Sequence, residues 1–394
     1  MEEYLYGVLG LGLWGYVIAT FLMVQLTITG VTLYLHRDQT HRAVDLHPAV
    51  RHFFRLWLWL TTGQGTCEWV AVHRKHHARC ETADDPHSPQ IVGLRKVLFE
   101  GAELYRAETA RPETLEKYGR GTPDDWLERN VYRRFSYTGV VLLAIMDLVL
   151  FGIPAITIFA IQMMSIPFLA AGIINGVGHH TGYRNFECED ASRNVVPWGL
   201  FLGGEELHNN HHAFPSSARF SMRPWEFDIG WFFLQVLSFF GLAKVRRVAP
   251  KPQLAPGERP IDLTTLRAII VNRMHVLQEY SSKVTLPVFD KEITRPACAR
   301  FRGMLRTARK VLVRQPSLLD ERARARLAEL LESSSALRTV HEFRERLRGL
   351  WEGANISNEG LIAQLKDWCA QAEASGIKSL QEFARRLRCY AQAT

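Results

Sequence analysis

Long apolar runs interrupt the first 250 residues of the chain and predict helices that meet a membrane. Leu5–Leu35 as one helix would be about 45 Å long, against a hydrocarbon core of about 30 Å. Such a helix could cross a bilayer and project beyond it. Ser136–Ile174 is broken by Gly152–Pro154, which predicts a membrane hairpin of two helices. The shorter runs Phe53–Thr62 and Trp231–Leu242 are typical of helices that lie on a membrane surface.

The C-terminal part of the chain follows a different pattern. Beyond residue 260, apolar residues recur at helical spacing, and no run there is long enough to span a membrane. Residues 251–394 contain 25 Lys and Arg against 16 Asp and Glu, whereas residues 1–250 are close to neutral. The Pro-rich stretch Ala249–Pro256 lies at the change. We therefore predict an all-α protein with a membrane domain at 1–250 and a basic, soluble helical domain of unassigned role at 251–394.

Histidines carry the candidate chemistry, because eight of the 15 fall in three short clusters. The clusters, and one further candidate that stands alone, are His36 and His41; His73, His76 and His77; His208, His211 and His212; and His179. Neutral imidazole is a common side-chain ligand for metals, so clustering of this density predicts a metal site. None of the six cysteines forms a Cys-x-x-Cys pair, which argues against a thiolate zinc site.

Helix geometry predicts how these histidines divide. Residues at i, i+3 and i+4 share one face, so each His-x-x-His-His cluster should aim three nitrogens at one point. His36 and His41 lie about 140° apart on a regular helix and should therefore reach two neighbouring ions. Nine candidate ligands are too many for one four-coordinate zinc and predict two metals. The ligand type alone leaves copper, zinc and iron open.

Charge predicts the side of the membrane on which the clusters lie. Basic residues crowd the first two clusters, among them Arg37, Arg74 and Lys75, and Arg184 follows His179. The positive-inside tendency places all of these in the cytosol. The predicted hairpin supplies the two crossings that must separate the second cluster from His179, so all nine candidates are expected on one face.

These motifs together resemble the integral-membrane fatty acyl desaturases, and the bacterial acyl-CoA delta-9 type in particular, over about residues 10–250. The first motif is His36-x4-His41, and the second is His73-x2-His76-His77, followed by the Asp-Pro-His stretch that ends at His87. The third runs from Gly204 through His208-x2-His211-His212 to Pro215. Asn175-x3-His179 matches the family's additional ligand segment.

The resemblance implies a polytopic helical membrane domain capped by a cytosolic polyhistidine di-iron site. All nine histidines would bind iron, and Asn175 would act through a water. The implied reaction is the O2-dependent introduction of a cis double bond, commonly delta-9, into a saturated acyl chain on CoA or a phospholipid. The bilayer would hold the protein in the bacterial inner membrane, with the site facing the cytoplasm. The two electrons would come from an external donor of ferredoxin, cytochrome or flavin reductase type.

Other functions remain open at this stage. A membrane hydroxylase could use the same polyhistidine scaffold, because hydroxylation needs only one hydrogen removed. A metal transporter would need polar residues along its spans, and the runs offer no such ladder.

Two further groups of residues are expected to support the site. Carboxylates commonly orient metal-binding histidines, and the candidates are Glu68, Asp84, Asp85, Asp190, Glu205 and Glu206. Trp69 could line the acyl tunnel. Val24–Thr32, and Thr29 and Gly30 within it, are expected to set the depth at which an acyl chain stops.

The C-terminal domain resembles the helical tail of some insertion-sequence transposases through Leu365–Trp368 and Phe383–Leu387. No acidic catalytic triad is visible, so transposition is not implied. A solvated helical appendage is the simplest interpretation of this domain. Docking on anionic lipid or on a partner protein also fits a membrane-tethered basic domain, and we do not expect nucleic acid as a partner.

Overall fold

The computed structural model describes residues 5–352 and 356–391, except the side chains of residues 297, 299, 300 and 302. Within it the chain forms two compact units. The first consists of Met1–Arg184 and Asp190–Ala249, and the second of Asn185–Glu189 and Pro250–Thr394. Both are built almost entirely from helices.

The first unit contains ten α-helices and four segments of other helical types among its described residues. The α-helices are Leu13–Gly30, Pro48–Thr62, Thr66–Arg79, Pro89–Val92, Leu94–Thr109, Pro112–Tyr118, Ser136–Phe151, Ala155–Ile166, His208–Ala213 and Ile229–Phe239. The π-helices are Val31–Thr40, Glu128–Tyr132 and Pro167–Ile174, and Val177–His179 is a 3-10 turn.

Two helices are long and apolar enough to cross a membrane. The first, Leu13–Thr40, is a 28-residue helix that ends in the π-helical segment and carries His36 beyond its most apolar part. The second, Ala155–His179, has 25 residues. Ser136–Phe151 and Ile229–Phe239 are shorter apolar helices. The structure therefore confirms a mostly helical protein, with two helices of spanning length.

The break at Gly152–Pro154 occurs where the sequence predicts it. Helix Ser136–Phe151 ends there and helix Ala155–Ile166 begins directly after it. Gly152 has a φ of +64°, and a Cβ at this position would meet the carbonyl oxygen of Leu5 at 2.5 Å. A glycine is therefore needed for this close approach. Deeper in the hairpin, Gln162 donates a 2.7 Å hydrogen bond to the fully buried Asp147, which joins the two helices.

Short strands fasten the segments around the histidines. Val44–Leu46, just after His41, pairs antiparallel with Ala243–Val245. Trp198–Gly199 pairs parallel with Phe227–Asp228. The guanidinium of Arg37, fully buried, donates to Asp228 at 2.9 Å and lies 4.0 Å from the ring centroid of Phe220. The ring of Phe220 also lies 4.9 Å from that of His211, so Phe220 links the segment of the first cluster to the third.

The second unit is a separate helical bundle. Its described α-helices are Leu263–Val271, Arg273–Tyr280, Leu286–Glu292, Leu305–Val313, Glu321–Ser333, Ser335–Glu352, Asn358–Ala374 and Lys378–Arg388. Ser281–Thr285 is π-helical, Pro296–Met304 and Pro316–Leu318 are 3-10 segments, and Gln253–Leu254 pairs antiparallel with Tyr390–Ala391. Its core includes Tyr280, Trp368 and Phe383, with Trp368 donating a hydrogen bond to the carbonyl of Phe343.

Candidate metal centre

All nine histidines singled out from the sequence lie together in two groups. In each group the potential ligand atoms lie within 4.8 Å of one another. The first group consists of His36, His41, His73, His77 and His211, and the second of His76, His179, His208 and His212. The groups adjoin, since the rings of His77 and His212 stack with centroids 4.4 Å apart.

The nitrogens within each group face one another at short range. In the first group, the Nε2 atom of His211 lies 3.1 Å from that of His36 and 2.9 Å from that of His77. In the second, the Nε2 atom of His179 lies 3.2 Å from that of His76 and 3.0 Å from that of His208. Two imidazoles bound to one ion at about 2.1 Å and at nearly right angles would be separated by about 3 Å. The spacing therefore fits ligands that converge on an ion.

The prediction that His36 and His41 diverge is wrong. They belong to the same group, with ring centroids 4.8 Å apart. The reason is local geometry, because Val31–Thr40 is a π-helix and the backbone N–H of His41 bonds to the carbonyl of His36 at 3.0 Å. This i→i+5 bonding brings residues five apart onto the same side of the helix, which a regular α-helix does not do.

The prediction that each His-x-x-His-His cluster aims at one point is also wrong. His73 and His77 join the first group, while His76 joins the second. The third cluster divides in the same way, with His208 and His212 together and His211 apart. On an α-helix the i and i+4 positions differ by only about 40°, whereas the i+3 and i+4 positions differ by about 100°. Each cluster is therefore wide enough to face two centres.

Carboxylates accept hydrogen bonds from the Nδ1 atoms of four of these histidines. The pairs are His36 with Glu205 at 2.7 Å, and His76 with Asp85, His179 with Glu81 and His212 with Asp190, each at 2.9 Å. A partner at Nδ1 fixes the tautomer that leaves the lone pair on Nε2. Three of these acids, Asp85, Asp190 and Glu205, are among the six candidates from the sequence.

The other three candidate carboxylates are not among the acids paired with these four histidines. Glu68 accepts from the backbone N–H of Gly65, Glu206 accepts from backbone N–H groups at Phe201 and Leu202, and Asp84 is exposed. Sequence reasoning missed Glu81. This residue lies in a loop, at a φ of +61° that is uncommon outside glycine, so no helical periodicity points to it.

The electrostatics keep most of the cluster neutral. Burial, followed by repulsion from neighbouring histidines, holds the pKa well below its usual value at six residues, namely His41, His73, His77, His208, His211 and His212. Neutral imidazole is the form that binds metal. His76 differs, because burial would lower its pKa but the nearby carboxylates of Asp85, Asp190 and Glu81 together raise it. A positive charge is favoured at that position.

The pair His76 and His179 tests whether a metal fits. Both residues are fully buried, and each gives its Nδ1–H to a carboxylate. Their Nε2 atoms then face each other at 3.2 Å, a spacing that a cation held between them, either a proton or a metal ion, would satisfy. In addition, the buried Nε2 atoms of His41 and His212 have no hydrogen-bond partner among the described residues. The side chains therefore fit bound metal ions.

Narrow apolar space adjoins the first group. A cavity of about 80 Å³ is lined by residues that include His36, His73, Trp69 and Asn175. A second space of about 30 Å³ shares Val31, Ala170, Ile174 and Glu205 with it and extends to Ile28 and Leu202. Trp69 stacks on His73 with centroids 5.0 Å apart.

Two secondary expectations need correction or refinement. Thr29 and Gly30 do not line either narrow cavity, and a Cβ on Gly30 would meet Phe54 and Leu58 instead. His87, which ends the Asp-Pro-His stretch and was not among the nine candidates, is buried, stacks on His76 at 4.5 Å and lines the larger of the two spaces. By contrast His180 is exposed, and its Nδ1 lies 2.9 Å from the hydroxyl of Thr181.

The fold and the site define a helical protein with a polyhistidine centre suited to metal. Comparison with known proteins gives its family, since the model for "Fatty acid desaturase" matches residues 11–242, more than half of the chain. The chain belongs to the fatty acid desaturase family. Members of this family are oxidoreductases that act on acyl lipids or acyl-CoA, and they are generally iron-dependent.

Individual relatives agree with this assignment. The chain is 29% identical to a sn-1 stearoyl-lipid 9-desaturase of Synechocystis, over 57% of this chain and 70% of the relative. It is 30% identical to delta-9 acyl-lipid desaturase 1 of Arabidopsis thaliana, over 54% and 69%. It is 33% identical to an acyl-CoA 5-desaturase of Anemone leveillei, over 55% and 66%. The protein is accordingly an enzyme of fatty acyl desaturation.

A second family model, "Transposase", matches residues 265–393. This agrees with the resemblance seen in the sequence of the C-terminal domain. The match falls in the second unit and does not include any of the nine histidines.

Proposed function

We propose that the protein is a membrane-bound di-iron desaturase that introduces a cis double bond, at the delta-9 position, into a saturated acyl chain. The observation that carries the proposal is the convergence of nine buried or half-buried histidines into adjoining groups of five and four. One iron would be held by each group. Asn175, which lines the cavity beside the first group, would contribute through a water.

The chemistry follows from the substrate. A methylene in a saturated chain has no acidic proton and no polar bond, so acid–base residues cannot activate it. Iron, when bound, supplies the activation of O2 that removal of these hydrogens requires. Electrons must come from outside the chain, and we propose an external donor of ferredoxin, cytochrome or flavin reductase type.

The protein's own side chains would hold the metals and place the substrate. Glu205, Asp85, Glu81 and Asp190 keep four of the ligands in the tautomer and orientation that present Nε2. The narrow cavities are walled by Val31, Ala170 and Ile174 among others, so an acyl chain there would lie in apolar surroundings beside His36 and His73. Fixing two neighbouring methylenes near the metals is the positioning that selects the bond to be oxidised.

We propose the bacterial inner membrane as the location, with the metal centre facing the cytoplasm. Two helices of spanning length and two shorter apolar helices support a polytopic arrangement. The basic residues around the histidines support the cytoplasmic orientation. The acyl chain would arrive on CoA or in a phospholipid, and relatives of both kinds are similar to this chain.

The relatives include 9-desaturases and 5-desaturases, so the position of the double bond needs a direct measurement. Expression in a bacterium that lacks unsaturated fatty acids, followed by gas chromatography with mass spectrometry, would give product and position together. We expect delta-9 monounsaturated chains. A hydroxylated chain would instead support the alternative, a membrane hydroxylase.

The variant His76→Ala tests the metal assignment. It removes a fully buried member of the four-histidine group, and we expect no unsaturated product. His180→Ala, which changes the exposed neighbour of His179, is the matched control and should retain activity. An active His76→Ala enzyme would contradict the assignment.

A further inference from the structure

A larger cavity opens beside the narrow space at the metal centre. It has a volume of about 460 Å³, and its mixed lining includes the polar side chains of Gln64, Glu68, Arg106 and Glu128. Tyr105 lines both this cavity and the 80 Å³ cavity that touches His36 and His73. Tyr105 therefore stands where the polar space meets the apolar space.

The hydroxyl of Tyr105 is buried and has no hydrogen-bond partner among the described residues. Buried phenol hydroxyls normally have a hydrogen-bond partner, so we expect the partner of this hydroxyl to lie on a bound molecule. Burial, together with the nearby Glu68, raises the pKa of Tyr105 well above its ordinary value. The group therefore remains an O–H donor at every physiological pH.

A second orphaned polar atom lies in the same large cavity. The side-chain oxygen of Gln64 is also buried and unpartnered within the described part of the chain. The cavity thus offers one donor and one acceptor that a purely apolar ligand would leave unsatisfied. Its occupant should carry a polar group that can accept a hydrogen bond at the junction with the apolar space.

The reaction itself requires such an anchor. Methylene groups are alike, and dispersion contacts along an apolar cavity are individually weak, so they distinguish poorly between two placements that differ by one carbon. A fixed double-bond position therefore needs a polar contact at one end of the chain. The acyl carbonyl is the polar group nearest to the methylenes.

We propose that Tyr105 donates a hydrogen bond to the ester or thioester carbonyl of the acyl substrate, and thereby fixes the number of carbons between that carbonyl and the metal centre. This inference rests on the desaturase function proposed above. The carbonyl is common to a CoA thioester and a glycerolipid ester, so Tyr105 would serve either carrier.

The test compares Tyr105→Phe with wild type and with Tyr118→Phe, using stearoyl-CoA in one arm and a stearoyl glycerolipid in the other. Tyr118 ends helix Pro112–Tyr118 and lines none of these three cavities, so its variant controls for loss of a tyrosine hydroxyl. We expect wild type and Tyr118→Phe to make a single positional isomer. Tyr105→Phe should make a mixture of neighbouring isomers, with KM raised about three- to tenfold and iron content unchanged.

Each result bears on one of the two proposals. A single, unshifted isomer and an unchanged KM in Tyr105→Phe would overturn the role of Tyr105, as would a fall in kcat alone. Wild type that makes no unsaturated product in either arm would instead refute the desaturase function, and the arm that turns over identifies the carrier. If Tyr105→Phe does not fold, chains of 16 and 18 carbons given to wild type decide the question. The double bond should keep its distance from the carbonyl, and a constant distance from the methyl end would refute the proposal.

Discussion

Asp85 offers a sharp test of the four-histidine group. It is buried, and one of its oxygens accepts from Nδ1 of His76 at 2.9 Å and from the backbone N–H of His87 at 3.1 Å. The other accepts from the backbone N–H of Glu81 at 2.9 Å. Asp85→Asn keeps the shape of the side chain but removes its charge and replaces one acceptor with a donor. That donor must face an N–H group, so one of these hydrogen bonds is lost.

The expected effect can be sized from this geometry. The His76 ring would lose the contact that fixes its tautomer, and changes of this kind typically weaken metal binding by about 10- to 100-fold. In free energy this corresponds to about 1.4 to 2.7 kcal/mol. The loss should fall on the group that contains His76, because none of the ligands in the five-histidine group has a hydrogen bond to Asp85 among the described residues.

Iron retention against a graded chelator series would measure the change. We expect the two irons proposed for wild type to be released at similar chelator concentrations, and one of them to be released from Asp85→Asn at a concentration lower by one to two orders of magnitude. Asp84→Asn is the matched control, since Asp84 is adjacent and exposed. Identical release curves for Asp85→Asn and wild type would refute the reasoning, and equal weakening of both irons would show that the groups are not independent.

Two further results are expected. Metal-free protein should lose thermal stability as the pH falls from about 7 towards 5. The six histidines with lowered pKa stay neutral in the folded protein but take up protons when it unfolds. At pH 5.5 each of them would lower the free energy of unfolding by about 1.4 kcal/mol as an upper limit. A thermal midpoint that rises on acidification would contradict this. Val31→Phe should shift the products towards shorter chains, because Val31 lines both narrow cavities. The control Gly30→Ala, whose new methyl group would face Phe54 and Leu58, should leave the products unchanged. Gas chromatography of the products measures both, and an unchanged or reversed chain-length pattern in Val31→Phe would contradict the prediction.

Features that depend on a few neighbouring residues could be predicted from the sequence. The hairpin break follows from Gly152 and Pro154, and the helices of the C-terminal unit follow from apolar spacing. The identity of the nine clustered histidines also follows, because their spacing is dense enough to stand out. The expectation that Thr29 and Gly30 set the chain length stays a prediction, but neither residue lines the narrow cavities, since periodicity gives a position along a helix and not the partner that each side faces.

The partition of the histidines could not be predicted, because it depends on backbone geometry that residue spacing does not encode. No sequence pattern in Val31–Thr40 predicts a π-helix. The i→i+5 hydrogen bonding of this π-helix brings His36 and His41 together, where a regular helix would separate them. Glu81 was missed for a related reason, since its orientation comes from a left-handed loop residue. Both failures occur at the candidate metal centre, where local strain and uncommon helix types are concentrated.

The way in which the clusters divide also suggests how the two metals would be kept at a fixed separation. The helix Thr66–Arg79 supplies His73 and His77 to one group and His76 to the other, and helix His208–Ala213 divides its three histidines in the same manner. The separation between the two histidine groups is then set largely by the helix, in which neighbouring residues are rotated by about 100° about the axis, rather than by loops. A rotation of either helix would move ligands of both groups at once. The carboxylates that orient single rings, such as Asp85 at His76, are therefore the means by which one group can be adjusted without the other.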